Sequence, residues 1–108
     1  MITVIETWFF KQELADQALS LMQQQDDLVG ENAHNHPGWS GHAHFYQRHD
    51  DRTQVLIVYP WRDLAAHKDL CVSEEPLTRE FIATKCTKPP HIEYLTELPV
   101  EVEHDHDH

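Results

Sequence analysis

Residues 53–61, Thr53-Gln54-Val55-Leu56-Ile57-Val58-Tyr59-Pro60-Trp61, decide how this chain is read. β-Branched and aromatic side chains fill the run and Pro60 closes it, which predicts a strand over Thr53–Tyr59. Val55, Ile57 and Tyr59 would point to one side, Leu56 and Val58 to the other. A strand that is apolar on both sides is usually covered on both sides. Just upstream, Asp50-Asp51 is a turn signal, and Trp39–His49 alternates in the manner of a preceding strand. Ile2–Phe10 is a third run of this kind, with Ile2, Val4 and Trp8 opposing Ile5 and Phe9. Between these runs, Gln12–Asp27 places Leu14, Ala15, Ala18, Leu21 and Met22 at helical spacing. Leu28–Pro37 lacks a period and contains Gly30, two Asn and Pro37, so it is expected to be a loop.

Downstream of Trp61, Asp63 can cap a short helix ending near Cys71. Ser73 can cap a second helix ending near Cys86, with Pro76 in its first turn and Leu77, Phe81 and Ile82 toward the core. Pro89-Pro90 should stop it, leaving His91–Leu98 as the last strand. The order β-α-β-β-α-α-β is a ferredoxin-like split βαβ arrangement, α+β in class, with an antiparallel sheet and its second helix broken in two. Residues 1–98 form the domain, and residues 99–108 an acidic, His-rich tail. Helices would cover one face of the sheet. The two-sided apolar strands then predict that a second copy covers the other face, giving a homodimer and a dimeric α+β barrel.

At 108 residues the chain is one domain. Its 8 Lys and Arg against 19 Asp and Glu give a formal net charge of -11, which disfavours nucleic acid as a partner. No stretch reaches the about 18 apolar residues of a membrane span. The N-terminus lacks the basic lead of a signal peptide. Cys71 and Cys86 form no CxxC pair, and reduced thiols in a cytoplasmic protein are the expectation.

Histidine is abundant, with 10 residues. His42, His44 and Tyr46 are two apart and would share one strand face. A neutral imidazole there can take a phenolic proton, and Tyr46 can donate to an oxyanion. A polar, exposed or dimer-lining face is the alternative. His34 and His36 precede Pro37-Gly38. With His42 and His44 they could complete a four-imidazole metal site, or they simply belong to a solvated loop. Glu6 interrupts an apolar strand. If buried it would be a base of raised pKa, but the sheet margin is its expected place. In the tail, His104, His106 and His108 align if extended and could bind Zn, Ni or Cu; a solvated acidic tail is the alternative.

The first strand ending in an aromatic pair, the hairpin, and the run VYPWRDLAAHKDL over residues 58–70 resemble the dimeric α+β barrel superfamily. The nearest resemblance is to its antibiotic-biosynthesis-monooxygenase-like group. That group carries a Trp just after the third strand and a His on the following short helix, which correspond here to Trp61 and His67. The resemblance implies a small, mostly apolar ligand in a cleft between sheet and helices. Its members include cofactor-free oxygenases of aromatic polyketides, heme-degrading enzymes, isomerases and cyclases. The heme-degrading pattern of a first-strand Asn and a late-helix His is not met. Thr7 stands at the first position, and residues 78–85 hold no His. The resulting expectation is a small-molecule enzyme of antibiotic or pigment biosynthesis. It would be a cofactor-free monooxygenase or a proton-transfer cyclase or isomerase on an aromatic or conjugated substrate. His42, His44 and His67 are its candidate catalytic residues, and Thr7, Trp8, Tyr46 and Trp61 its candidate substrate-binding residues. No metal or other cofactor is called for, and the partners expected are a second copy and a small aromatic ligand. The rival is a non-catalytic, His-rich metal-binding or ligand-carrier module.

Overall fold

The computed structural model describes residues 1–103 and consists of a four-stranded antiparallel sheet with two helices on one face. The strands are β1 (Ile2–Phe10), β2 (His44–Gln47), β3 (Gln54–Trp61) and β4 (Cys86–Leu95), in the order β2-β3-β1-β4. Helix α1 (Ala18–His34) follows a 3-10 segment, Gln12–Gln17, and α2 (Leu64–Lys85) joins β3 to β4. β1 lies between β3 and β4, paired Val4 to Tyr59 and to Tyr94, and Glu6 to Ile57 and to Ile92. The ferredoxin-like α+β reading therefore holds.

Strand alternation sets the layers. Val4, Glu6, Trp8 and Phe10, with Val55, Ile57, Tyr59 and Trp61, are buried beneath the helices. Leu21 and Met22 of α1 and Leu70 and Phe81 of α2 close the core over them. The intervening Ile5, Phe9, Leu56 and Val58 stay half-buried on a face that carries no helix.

Several boundaries differ from those expected. Leu28–His34 is helix, not loop. Val29 and Ala33 continue the stripe of Ala18, Leu21, Met22 and Gln25 at helical spacing, and Asn32 Nδ2 donates to Ser73 Oγ at 3.0 Å, tying α1 to α2. The second helix is not broken at Ser73. The Ser73 hydroxyl donates to the Leu70 carbonyl at 2.7 Å instead of capping a new helix. Pro76 sits inside α2 at an exposed position, and the Val72 carbonyl that it cannot pair lies on a residue 75% exposed, where water can serve. Asp63 does cap α2, accepting from the Ala66 amide at 2.8 Å.

β2 is four residues long, not the Trp39–His49 strand expected, because residues 37–43 leave the sheet to pack over Trp61. Gly38 makes this possible. A Cβ there would overlap Trp61 Nε1 and lie 2.8 Å from its Cε2. The Gly38 carbonyl accepts from the Arg62 amide at 2.8 Å, and Trp39 makes one isolated bridge to Trp61. β4 begins five residues early and runs through Pro89-Pro90. As an edge strand it tolerates prolines, and register shifts opposite Thr7–Phe10 absorb them. Leu77 is exposed while Phe81 reaches the core. Among the described residues, no helix is long and apolar enough to cross a membrane. His104, His106 and His108 lie outside the described residues.

Candidate active site

The buried phase of β1 carries a carboxyl. Glu6 is placed inside by the same two-residue period that buries Val4 and Trp8, and it is 7% exposed. This corrects its expected place at the sheet margin. Trp8 Nε1 donates to Glu6 Oε1 at 2.9 Å, and the Tyr59 hydroxyl bonds Glu6 Oε2. Tyr59 OH also lies 2.6 Å from His67 Nε2, and His67 Nδ1 lies 2.9 Å from Tyr94 OH. One strand pairing and one helical turn assemble this row: β1 and β3 bring Glu6 beside Tyr59, and Asp63 caps α2 so that His67 faces the sheet.

Glu6 opens into a cavity of about 260 Å³ between helices and sheet. That is near the lower end of small-molecule sites, which run from roughly 300 Å³ upward. Ile57, Tyr59 and Trp61 form its floor with Glu6. Val29 and Leu70 contribute apolar wall, and Glu74 of α2 is a second carboxyl. Trp39, His34 and His42 line it from the connecting segment and the end of α1. His34 and His42 flank Trp39, with ring centroids 4.8 and 5.3 Å from it. Trp61 Nε1 is the one buried side-chain polar atom without a hydrogen-bond partner among the described residues.

Burial pushes the Glu6 pKa up, although the bonds from Tyr59 and Trp8 pull it down. Glu74 is raised to about 8, by burial first and then by the charge of Glu6. Burial, with Glu6 beside it, holds the Tyr59 phenol protonated well above its usual range. His67 is wholly buried, and burial, with a lesser contribution from His36, lowers its pKa to about 4. At neutral pH His67 is a neutral imidazole that donates from one nitrogen and accepts at the other.

The expected site residues divide. Trp61 and His42 line the cavity. His67 stands behind it, bonded to Tyr59. Trp8 is core and supports Glu6. His44 and Tyr46 pair with Val58 and Leu56 on the helix-free face, and Thr7, across from Leu56, shares that face. His42 precedes β2, so the common strand face read for His42, His44 and Tyr46 does not form. Tyr46 also borders a second cavity of about 280 Å³, with Met22, Phe45 and Val55. His36 bonds Asp69 at 2.7 Å and accepts the Gly38 amide on its other nitrogen. The four imidazoles do not converge, and among the described residues no three His, Cys, Asp or Glu side chains form a metal-sized group. Glu74, Tyr59 and Tyr94 were not singled out as site residues, and Glu6 was weighed as a base but expected at the margin. Tyr59 lies in the same buried phase as Val55 and Ile57, and Glu6 in that of Val4 and Trp8, so strand period alone could have placed both.

No protein-family model and no curated protein sequence matches this chain. Solved structures do. A monooxygenase from the ActVA-Orf6 gene of Streptomyces coelicolor, in complex with nanaomycin D, is similar with a TM-score of 0.70 and 16% identity, covering 95% of this chain and 92% of that one. SnoaB, a cofactor-independent oxygenase from Streptomyces nogalater, gives 0.63 at 12% identity, covering 94% and 97%. Another structure, an antibiotic biosynthesis monooxygenase, gives 0.66 at 22% identity, covering 92% and 100%. The chain shares the ferredoxin-like α+β fold of these solved structures.

Proposed function

We propose that the cavity is the active site of a cofactor-free enzyme acting on a small aromatic or conjugated molecule. Its place would be in antibiotic or pigment biosynthesis, as a monooxygenase or a proton-transfer cyclase or isomerase. The observation that carries this reading is Glu6, a buried carboxyl of raised pKa at the floor of a cavity walled by Tyr59, Trp61 and Trp39. A carboxyl whose pKa is raised by burial is a stronger base than a free one and can take the proton of a phenol or enol. The base facing the cavity is thus a carboxylate, where an imidazole was expected. The electron-rich anion would be held against Trp61 by stacking. In the oxygenase case dioxygen takes four electrons from the substrate: one oxygen atom becomes a quinone carbonyl and the other leaves as water. In the isomerase case the proton returns from Glu6 to another atom of the substrate.

His42 lies at the cavity wall, in reach of a ligand's polar rim, and Glu74 adds a second protonatable group. The likeness to two oxygenases, one crystallised with nanaomycin D, supports the same kind of chemistry. A homodimer through the helix-free face belongs to this reading, supported by Ile5, Phe9, Leu56 and Val58 standing half-buried there. Titration with a dihydroxynaphthalene under argon, followed by tryptophan fluorescence, tests the site. Saturable quenching that weakens in Trp61→Leu supports it. No quenching, or quenching indifferent to Trp61, would refute it.

A further inference from the structure

Glu6 ends an unbroken row of side-chain hydrogen bonds whose other end is at the surface. The row runs from Glu6 on β1 to Tyr59 on β3, His67 on α2 and Tyr94 on β4. Tyr94 is 37% exposed at the sheet edge, whereas Glu6, Tyr59 and His67 are all buried. Glu6 and Tyr59 line the cavity, whereas His67 and Tyr94 do not, so the row leads from the cavity floor away from it. Trp8 occupies the remaining Glu6 oxygen.

The row satisfies every partner in two arrangements. With Glu6 ionised, Tyr59 O–H donates to Glu6, His67 Nε2–H donates to the Tyr59 oxygen, and Tyr94 O–H donates to His67 Nδ1. With Glu6 protonated, each bond reverses: Glu6 O–H donates to Tyr59, Tyr59 O–H to Nε2, and Nδ1–H to Tyr94. The two differ by one proton taken from solvent and by the tautomer of a neutral His67.

We propose that Tyr59, His67 and Tyr94 form a proton wire that exchanges the Glu6 proton with solvent at the β4 edge, behind a bound ligand. In the inward direction water gives a proton to Tyr94, Tyr94 to Nδ1, Nε2 to Tyr59, and Tyr59 to Glu6. Four O–H or N–H bonds form and four break, counting the water's own, and no electrons are transferred. The wire gives an occupied cavity a route to solvent that does not pass its mouth. Other groups face it. Glu74, Asp26, His34 and His42 line the same cavity as Glu6, as does Gln25 of α1. Cys71 Sγ, 3.6 Å from His67 Nδ1, is a weak second partner for that nitrogen. His36 also acts on His67 by charge. The inference rests on Glu6 being the proton acceptor of the site, but its test uses ligand-free protein and reads no turnover.

The test is the tautomer of His67, followed by ¹⁵N shifts of the imidazole while the Glu6 carboxyl is followed by ¹³C through its titration. The expected result is a swap from Nε2–H above the Glu6 midpoint to Nδ1–H below it, with the ring neutral throughout. In Glu6→Gln the swap is absent. In Tyr59→Phe, if it folds, Glu6 titrates and His67 no longer follows. In Tyr94→Phe the interconversion slows, read as line broadening at the midpoint. A single His67 tautomer across the wild-type Glu6 titration would overturn the wire, as would the same swap in Glu6→Gln. An exchange rate unchanged by Tyr94→Phe would overturn the exit at Tyr94.

Discussion

Glu74 and Gly38 show how much single residues decide here. Glu74 has a folded pKa near 8 against 4.5 in the unfolded chain. Its folded form therefore holds a proton that the unfolded form has released between those values. The resulting stability is complete below pH 4.5 and is lost as pH rises through 8. Glu74→Gln should unfold later than wild type at pH 9, by on the order of a few kcal/mol, and match it at pH 4. Urea midpoints at the two pH values check this; equal differences at both would reject the buried carboxyl. His67 acts with the opposite sign. Its pKa falls from 6.5 to about 4 on folding, so its contribution is complete above pH 6.5 and lost as pH falls through 4. Gly38→Ala should cost about 1–3 kcal/mol, as overpacking does, because its methyl overlaps Trp61. Thermal unfolding measures it, and an unchanged midpoint would show that the segment can retreat from Trp61. Of these residues, Trp61 and His67 were indicated by the family resemblance of residues 58–70. Glu6 was legible from strand period, but polarity argued against burying it. Only the fold reveals that Tyr59 and Trp8 supply the partners that make its burial tolerable.

Elements were legible where period and burial agree. β1, β3 and the first three turns of α1 have apolar stripes that match their single buried face. The misreadings come from local signals outweighed by tertiary packing. Ser73 and Pro76 resemble the start of a helix, yet Leu70 before them and Phe81 after them pack on one sheet, and a continuous α2 buries both. Pro89-Pro90 resembles a stop, yet β1 needs an edge partner from Phe10 onward, and β4 supplies it with bulges. The histidine alternation before Phe45 resembles a strand, but only His44 joins β2, while His42 packs on Trp39. Pro76 offers a direct check. Pro76→Ala restores the amide that can bond the Val72 carbonyl at an exposed site, so α2 should gain stability, with about 3 kcal/mol the ceiling set by the cost of a helical proline. A lower chemical-denaturation midpoint in that variant would mean that the helix needs its proline bend.

On the scale of the whole molecule, one sheet face is closed by two helices and the other is bare but apolar at its centre. If that face pairs with its copy, the dimer should bury more than roughly 1,200 Å² in total. Light scattering at micromolar concentration should return twice the chain mass for wild type and a monomer for Val58→Asp. A monomeric wild type would leave the bare face without its proposed cover. The sequence made this face visible through Leu56 and Val58, because two-sided apolarity survives in any register. It could not show that His44 and Tyr46 belong to this face and not to the cavity, because that depends on where β2 begins. The functional reading reduces to one residue at the floor of one cavity. Its most direct measurement is oxygen uptake by metal-stripped protein supplied with a dihydroxynaphthalene, comparing wild type with Glu6→Gln. The expected result is turnover in wild type that falls by about 10²-fold or more in Glu6→Gln, the usual scale of a general base, with binding retained. Equal turnover in the two proteins would contradict the assignment of Glu6, and a wild type that neither binds nor turns over the phenol would contradict the cavity as an active site for such molecules.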